Sequence, residues 1–398
     1  MLMTNSPLAM PLTLPCGATL KNRIIKSPMS DSLGDGRGNP TEAQQRLYQR
    51  WADGGTALSL IGEVQVGHYH PEKPGNLVLG AQQNDQALAK LAMCGSAKGA
   101  QIWPQLGHAG ALTHDAVNTP KGPSALNLDG LNCQALSLDE IRALPDLYAS
   151  AAKRAQTAGF GGVQIHAGHG FLLSQFLSPL FNHRQDDYGG AIEHRFRIIG
   201  EIIAAVRTAV GAQFSIGIRI NSSDKLMGGL TEDDALRAIG FLDNTSVDLI
   251  DISGGTYFPG APSSSDRATL SGAYYIEFAR RAKALTSIPI MLSGGMREID
   301  HALDVITSGA ADAVGLGRAM ALDVDLPNKW IEGININPVF PRFDNPVEGG
   351  ITAWYSMLLT AIGEDKNNDF SLTLEDALRL YDDRDDLRTH IWRDHFSL

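Results

Sequence analysis

Residues 161–190, GGVQIHAGHGFLLSQFLSPLFNHRQDDYGG, decide how the rest of the chain is read. Gly162-Val163-Gln164-Ile165 follows the helix-ending pair Ala158-Gly159 and has the composition of a buried strand. The strand runs out at His166, and His169 stands three residues on, in a glycine-broken turn. Two imidazoles leaving one strand end can aim N–H donors at a single small volume. A carbonyl, nitro or phenolate oxygen held there would be polarised without a metal. Spacing alone equally allows two satisfied structural histidines, so the flanking sequence must decide.

Counting this stretch, β-rich runs recur at residues 24–29, 57–66, 101–106, 162–166, 214–220, 247–252, 288–292 and 313–316. Helical patterns separate them. Thr41-Glu42 and Asn84-Asp85 open the first two helices, and Ser137-Leu138-Asp139-Glu140 is a capping-box start to the third. Later helical segments cover residues 193–210, 232–242, 273–285 and 298–308. Strands alternating with helices in this number predict a closed (β/α)8 TIM barrel, an α/β fold. An open doubly wound sheet would want a G-x-G-x-x-G turn after the first strand, and none is there.

A barrel of this kind collects its chemistry at the carboxyl ends of the strands. The unusual polar residues do stand at those ends: Ser27-Pro28-Met29-Ser30, Gly62-Glu63, Gln105 with His108, His166, Arg219, Ser253-Gly254-Gly255, Ser293-Gly294-Gly295 and Gly317-Arg318. Gly294-Gly295 and Gly317-Arg318 offer backbone N–H groups, helix starts and a guanidinium, a set that suits a phosphate. Gln105 and Arg219 would face the rest of the same ligand. A buried arginine needs an electron-rich partner, and a flavin's pyrimidine edge would be one.

Composition narrows the class further. With 398 residues, 43% of them hydrophobic, the chain can bury a large core. A formal net charge of −11 with no basic run disfavours nucleic acid or an anionic membrane as partner. Cys16, Cys94 and Cys133 lie far apart and form neither a metal-binding spacing nor a disulfide framework, so no metal site is expected. No run reaches the ~20 apolar residues of a membrane span. The expectation is a cytoplasmic enzyme acting on a small molecule, for which a homo-oligomer is allowed.

The motifs LKNRIIKSPMS (residues 20–30), IWPQLGHAG (102–110), IHAGHGFLLSQFLSPLFNHRQDDYGG (165–190), GIRIN (217–221), SGG (293–295) and GLGRAMALDVDLPNKW (315–330) make the chain similar to the Old Yellow Enzyme family of FMN-dependent oxidoreductases. The resemblance implies an FMN across the barrel mouth, with NADPH or NADH as hydride donor. Ser27, Pro28, Met29 and Ser30 would line the isoalloxazine, and Gly62 and Glu63 would approach through backbone. Gln105 and Arg219 would hold the pyrimidine and ribityl portions, and Gly294, Gly295, Gly317 and Arg318 the phosphate. His166 and His169 would bind the oxygen of a substrate whose contacts also include Phe171 and Ser32. Residues 182–190, with Arg184, Asp187 and Tyr188, resemble the family's structural turn.

The chain departs from the family pattern at Phe171, where a proton-donating tyrosine is usual, and at Ala111, where the HAG motif usually continues with Arg. A phenyl ring cannot protonate a carbon. Water or another residue would then supply the proton, with Tyr257, in the loop after Ser253-Gly254-Gly255, as the candidate ahead of His68, Tyr69 and His70. The implied reaction is reduction of activated alkenes (α,β-unsaturated carbonyls). Reduction of nitro compounds or nitrate esters, or an oxidative flavin dehydrogenase, would need no such proton. A flavin-binding redox module without turnover is the reading from a different class. The barrel is expected over residues 12–333 and a helical extension over 334–398, with helical patterns at 351–362 and 374–392. The run Asp382 to Asp386 reads as a solvated helix face, and the loops 67–75 and 257–270 as determinants of substrate size.

Overall fold

The computed structural model describes residues 6–80, 84–258, 272–344 and 346–398. Eight parallel strands form its centre: β1 Ile24–Lys26, β2 Leu58–Gln65, β3 Gln101–Gly107, β4 Gly162–Ala167, β5 Ser215–Asn221, β6 Leu249–Ser253, β7 Ile290–Ser293 and β8 Ala313–Leu316. Each pairs with the next, and β8 returns to β1 with Val314 opposite Ile24, closing the (β/α)8 barrel. Strands covered on both faces carry near-continuous apolar runs rather than alternation, and every residue of β2 is buried. β1 stops at Lys26, short of the expected residue 29, because Pro28 has no N–H to give to a ladder. Ser30 instead makes a lone bridge to Gly62.

The barrel is apolar at the bottom and polar at the mouth. A hairpin of Leu12–Thr13 and Thr19–Leu20 plugs the lower end, packing Leu12, Leu14 and Leu20 against Ile25, Leu58 and Trp103. Each fully buried leucine there contributes about 1.5–3 kcal/mol relative to exposure. This layer supplies stability and leaves the opposite end free for chemistry.

The first three helices, α1 Glu42–Asp53, α2 Asp85–Gly95 and α3 Leu138–Thr157, begin where the caps stand. Thr41 accepts from the Gln44 N–H, Asn84 accepts from Ala87, and Ser137 and Glu140 make the reciprocal capping box. A short helix, α4 Leu172–Leu177, follows β4 and was not expected. The outer ring continues with α5 Ile192–Val210, α6 Glu232–Leu242, α7 Ile276–Lys283 and α8 Ile299–Thr307. After β3 the chain makes a small three-stranded sheet (Lys121–Gly122, Leu126–Leu128, Leu131–Ala135), also unexpected, since its strands are too short to show a period.

Beyond α9 Arg318–Leu322 and α10 Leu326–Ile331, helices α11 Gly350–Gly363 and α12 Leu374–Phe396 cover one side of the mouth. Ser356 donates to the Ser30 carbonyl at 3.4 Å, and the Trp392 indole donates to the His68 carbonyl at 3.1 Å. The Phe396 ring stacks on His68 with centroids 4.5 Å apart. The run Asp382 to Asp386 is not a uniformly solvated face. The 3.6-residue period places Tyr381, Asp385 and Trp392 on the buried side, while Asp382, Asp383 and Asp386 face water. Inward, Asp385 pairs with Lys73 at 3.3 Å and Arg388 donates to the Ser32 carbonyl at 2.6 Å. Among the described residues no helix is long and apolar enough to cross a membrane.

Candidate active site

The polar residues inside the upper barrel form one continuous chain. Ser27 and Ser293 hydroxyls lie 3.0 Å apart, and Ser293 donates to Asp251 at 2.8 Å. The other Asp251 oxygen accepts from Gln164 at 3.2 Å, and Gln164 in turn accepts from Gln105 at 2.6 Å. Arg219 pairs with Asp251 at 3.5 Å and donates to Ser253 at 2.9 Å. Burial pushes the Asp251 carboxyl up, while Arg219, Ser293 and Gln164 hold it down. Gln164 and Asp251 did not emerge from the sequence. Each stands two residues before a mouth residue, His166 and Ser253, and period-2 alternation would have pointed both inward.

Above this chain sits the histidine pair. His166 Nε2 and His169 Nδ1 lie 3.0 Å apart, with rings inclined at 66°. His169 Nε2 is 3.1 Å from the Ser253 hydroxyl. His166 Nδ1 is 2.8 Å from Glu63 Oε1, though too oblique for a regular hydrogen bond. One consistent proton assignment has Ser253 donating to His169 Nε2 and His169 Nδ1–H donating to His166 Nε2, leaving His166 Nδ1–H toward Glu63. His169 takes a left-handed backbone, φ 58°, uncommon outside glycine. It is held there by its N–H on Asn221 Oδ1 (3.1 Å) and its carbonyl on the Tyr257 N–H (3.0 Å). Backbone strain kept in place by specific partners marks this turn as a built feature.

Phe171 is buried beside the pair, its ring centroid 5.0 Å from His166. Tyr257 flanks both, 5.8 Å from Phe171 and 5.8 Å from His169. Tyr257 is 62% exposed, and its surroundings, then the carboxylates Glu72 and Glu63, raise its phenol above the ordinary value. His70 lies away from this group, stacked on His108 at 4.6 Å, and burial lowers it to about 4, leaving it neutral at pH 7. His68 is under Phe396. Ser32 is buried and bound to Arg388 of α12, which ties it to the C-terminal helix and not to the histidines.

A cleft of about 890 Å³ opens from Phe171 and Tyr257, between Glu72-Lys73 on one side and the three-stranded sheet on the other. Ala111, Leu112, Leu126, Leu131 and Cys133 give it an apolar wall. Ala111 occupies the position where the sequence departs from the family's arginine, and it is buried in that wall. The loop 257–270 lies outside the described residues from 259 to 270.

The remaining strand ends suit a large planar, anionic ligand. Arg219 Nε is buried and has no hydrogen-bond partner among the described residues. Gly294 and Gly295 have φ of 115° and 80°, and a Cβ on Gly295 would strike the Gly272 carbonyl. Gly62 packs directly on Pro28, with 2.7 Å to an added Cβ. Arg318 lies over the Tyr355 ring at 5.7 Å, at the start of α9. Among the described residues no cluster of three or more His, Cys, Asp or Glu is arranged to hold a metal.

The closed (β/α)8 barrel, with glycines after β7 and β8 and an imidazole pair at its mouth, has the architecture of the flavin oxidoreductases of the Old Yellow Enzyme family. The chain belongs to that family: the model of the NADH:flavin oxidoreductase / NADH oxidase family matches residues 7–337. It is 33% identical over 351 residues to the NADH-dependent flavin oxidoreductase iliE of Hypocrea jecorina (strain QM6a), covering 80% of this chain and 87% of that protein. It is 30% identical over 322 residues to the NADH oxidase of Thermoanaerobacter brockii, covering 79% of this chain but only 49% of that longer protein. Morphinone reductase in complex with tetrahydroNAD superimposes with a TM-score of 0.71 at 26% identity, over 85% of this chain and 93% of that one. The chain is an FMN-dependent oxidoreductase that uses a nicotinamide cofactor.

Proposed function

We propose that the enzyme reduces activated alkenes, with the carbonyl oxygen bound at His166 and His169 and the α-carbon proton supplied by Tyr257. The observation that carries this reading is the placement of Tyr257 against both Phe171 and His169, at 5.8 Å from each ring. A phenol therefore stands next to the position the sequence leaves without one.

Bound FMN supplies hydride chemistry at the barrel mouth. Ser27, Pro28, Met29, Ser30, Gly62 and Glu63 would border its ring system, with Gln105 and Arg219 on the polar edge. Gly294, Gly295, Gly317 and Arg318 would take its phosphate. Arg219 Nε, without a hydrogen-bond partner among the described residues, supports the role on the polar edge.

A substrate oxygen entering astride the 3.0 Å contact between His166 and His169 would accept the His169 Nδ1–H that His166 Nε2 otherwise takes. Glu63 lies 2.8 Å from His166 Nδ1 and helps to hold that ring in place. Donors placed where charge develops favour the transition state over the ground state. Phe171 contributes an apolar wall that excludes water from the reacting carbons.

The test is anaerobic. The bound flavin is reduced, 2-cyclohexenone is added, and the return of oxidised absorbance and of saturated ketone is followed. Return with ketone supports the reading. A protein that stays reduced with enones but reoxidises with nitro compounds or nitrate esters overturns it.

A further inference from the structure

The loop after β2 carries a carboxylate with no part in the scheme above. Glu72 lines the same cleft as Phe171 and Tyr257. Its Oε2 accepts from Asn76 Nδ2 at 3.2 Å, and Asn76 Oδ1 accepts from the Ser30 hydroxyl at 3.3 Å, so the group is anchored to the loop that follows β1. Lys73, the adjacent cation, is committed to Asp385 of α12. Glu63 is committed to His166. The charged and titratable groups facing Glu72 are therefore Glu63 from β2, Lys73 from its own loop, Asp385 and Tyr381 from α12, and Tyr257 from the loop after β6.

Carboxylates gathered at one partly closed mouth cannot all ionise cheaply. Burial first and Glu63 second push Glu72 up to about 7, against the pull of Lys73 and Asn76. Glu72 is also the charged group that most strongly raises the Tyr257 phenol. Glu72 is thus a carboxyl group coupled to the phenol, protonated in part at neutral pH and open to solvent through the cleft.

We propose that Glu72 is the proton reservoir of the cleft, restoring the Tyr257 hydroxyl after each proton it gives to substrate. This inference rests on the reading of Tyr257 as donor. In each turnover the bound cofactor would supply the hydride that the alkene takes at its β-carbon. The alkene gains a proton at the α-carbon as the Tyr257 O–H bond breaks. The phenolate then takes the Glu72 carboxyl proton, directly or through one water, and the carboxylate is reprotonated from solvent. The transfer runs downhill, because a carboxyl group is a stronger acid than a phenol. Glu72 acts through Tyr257 and not on the substrate.

The test compares two half-reactions of the reduced holoenzyme: with 2-cyclohexenone, which needs a carbon-bound proton, and with a benzoquinone, which does not. Glu72→Gln keeps an acceptor for Asn76. Its ratio of enone to quinone rate should fall ten- to hundredfold, with Glu72→Asp recovering part of the loss. In wild type the enone rate should decline as pH rises through about 7, the direction in which Glu72 loses its proton, and Glu72→Gln should lack that limb. An unchanged ratio and an unchanged pH profile overturn the proposal. If Glu72→Gln does not fold, the wild-type profile decides: an enone rate flat from pH 6 to 8 overturns it. Enone turnover that is indifferent to Tyr257→Phe sinks the donor assignment first, and the relay with it. A slow Tyr257→Phe beside an unchanged Glu72→Gln overturns the relay alone and leaves the donor assignment standing.

Discussion

The rings of Phe171 and Tyr257 meet edge to face, with centroids 5.8 Å apart and planes inclined at 60°, beside the His166–His169 pair. They come from different strand ends, β4 and β6. One supplies the apolar surface and the other the hydroxyl that a single tyrosine would otherwise combine.

Tyr257→Phe should therefore slow the enone half-reaction by about 10²–10⁴-fold, the usual contribution of a general acid. The quinone half-reaction should fall far less. Phe171→Tyr places a hydroxyl beside His166 and should restore enone reduction in the Tyr257→Phe background. Stopped-flow absorbance of the flavin checks both, and additive losses in the double variant would show that the two positions do not share a role.

Replacing His166 and His169 together by Ala should abolish the charge-transfer band that phenols produce with bound flavin. FMN itself should remain bound, because its proposed contacts lie on other strands. Titration with p-hydroxybenzaldehyde, read by absorbance, is the measurement. Retention of the wild-type band would remove the oxygen-binding role from the pair.

Lys73 and Asp385 tie the loop after β2 to α12, with the carboxylate side chain 6% exposed and the lysine side chain 32% exposed. Lys73→Met leaves Asp385 buried without this cation. The loss should be about 2–3 kcal/mol, below the full value for a buried pair because Lys73 remains partly in water. Lys73→Met combined with Asp385→Leu should recover most of it. Urea midpoints of the three variants give the comparison.

Lys26 is fully buried, with its ammonium 4.3 Å from the Trp51 ring centre and donating to the Ser27 carbonyl at 2.7 Å. Burial lowers it to about 7, only partly offset by Asp31. Between that value and the ordinary 10.5 the unfolded chain holds a proton the folded chain has released, so stability rises with pH across this window. The slope is at most about 1.4 kcal/mol per pH unit. Lys26→Met should flatten this component and be the more stable protein at pH 7. Parallel denaturation curves at pH 7 and pH 9.5 test the sign.

The barrel was legible because strands covered on both faces must be apolar throughout, and such runs recur with capped helices between them. His166, Arg219 and Glu63 were legible as polar residues at the ends of those runs. Gln164 and Asp251 were hidden inside the same runs, where one polar side chain in a strand reads as noise until its partner is known. The wall formed by Leu126, Leu131 and Cys133 was illegible for a different reason: its strands are two to five residues long and have no period to read.

The sequence by itself determined which polar residues stand at the strand ends and where the capped helices α1, α2 and α3 start, since both depend on neighbours a few positions away. Only the tertiary structure decided that Tyr257 meets Phe171, that Arg388 takes Ser32, and that Asp385 turns inward to Lys73. Those partners are separated by tens to hundreds of residues, and closure of the barrel with the docking of α12 sets their distances. Local periodicity gives a side chain its direction, and the packing of distant elements supplies what it meets.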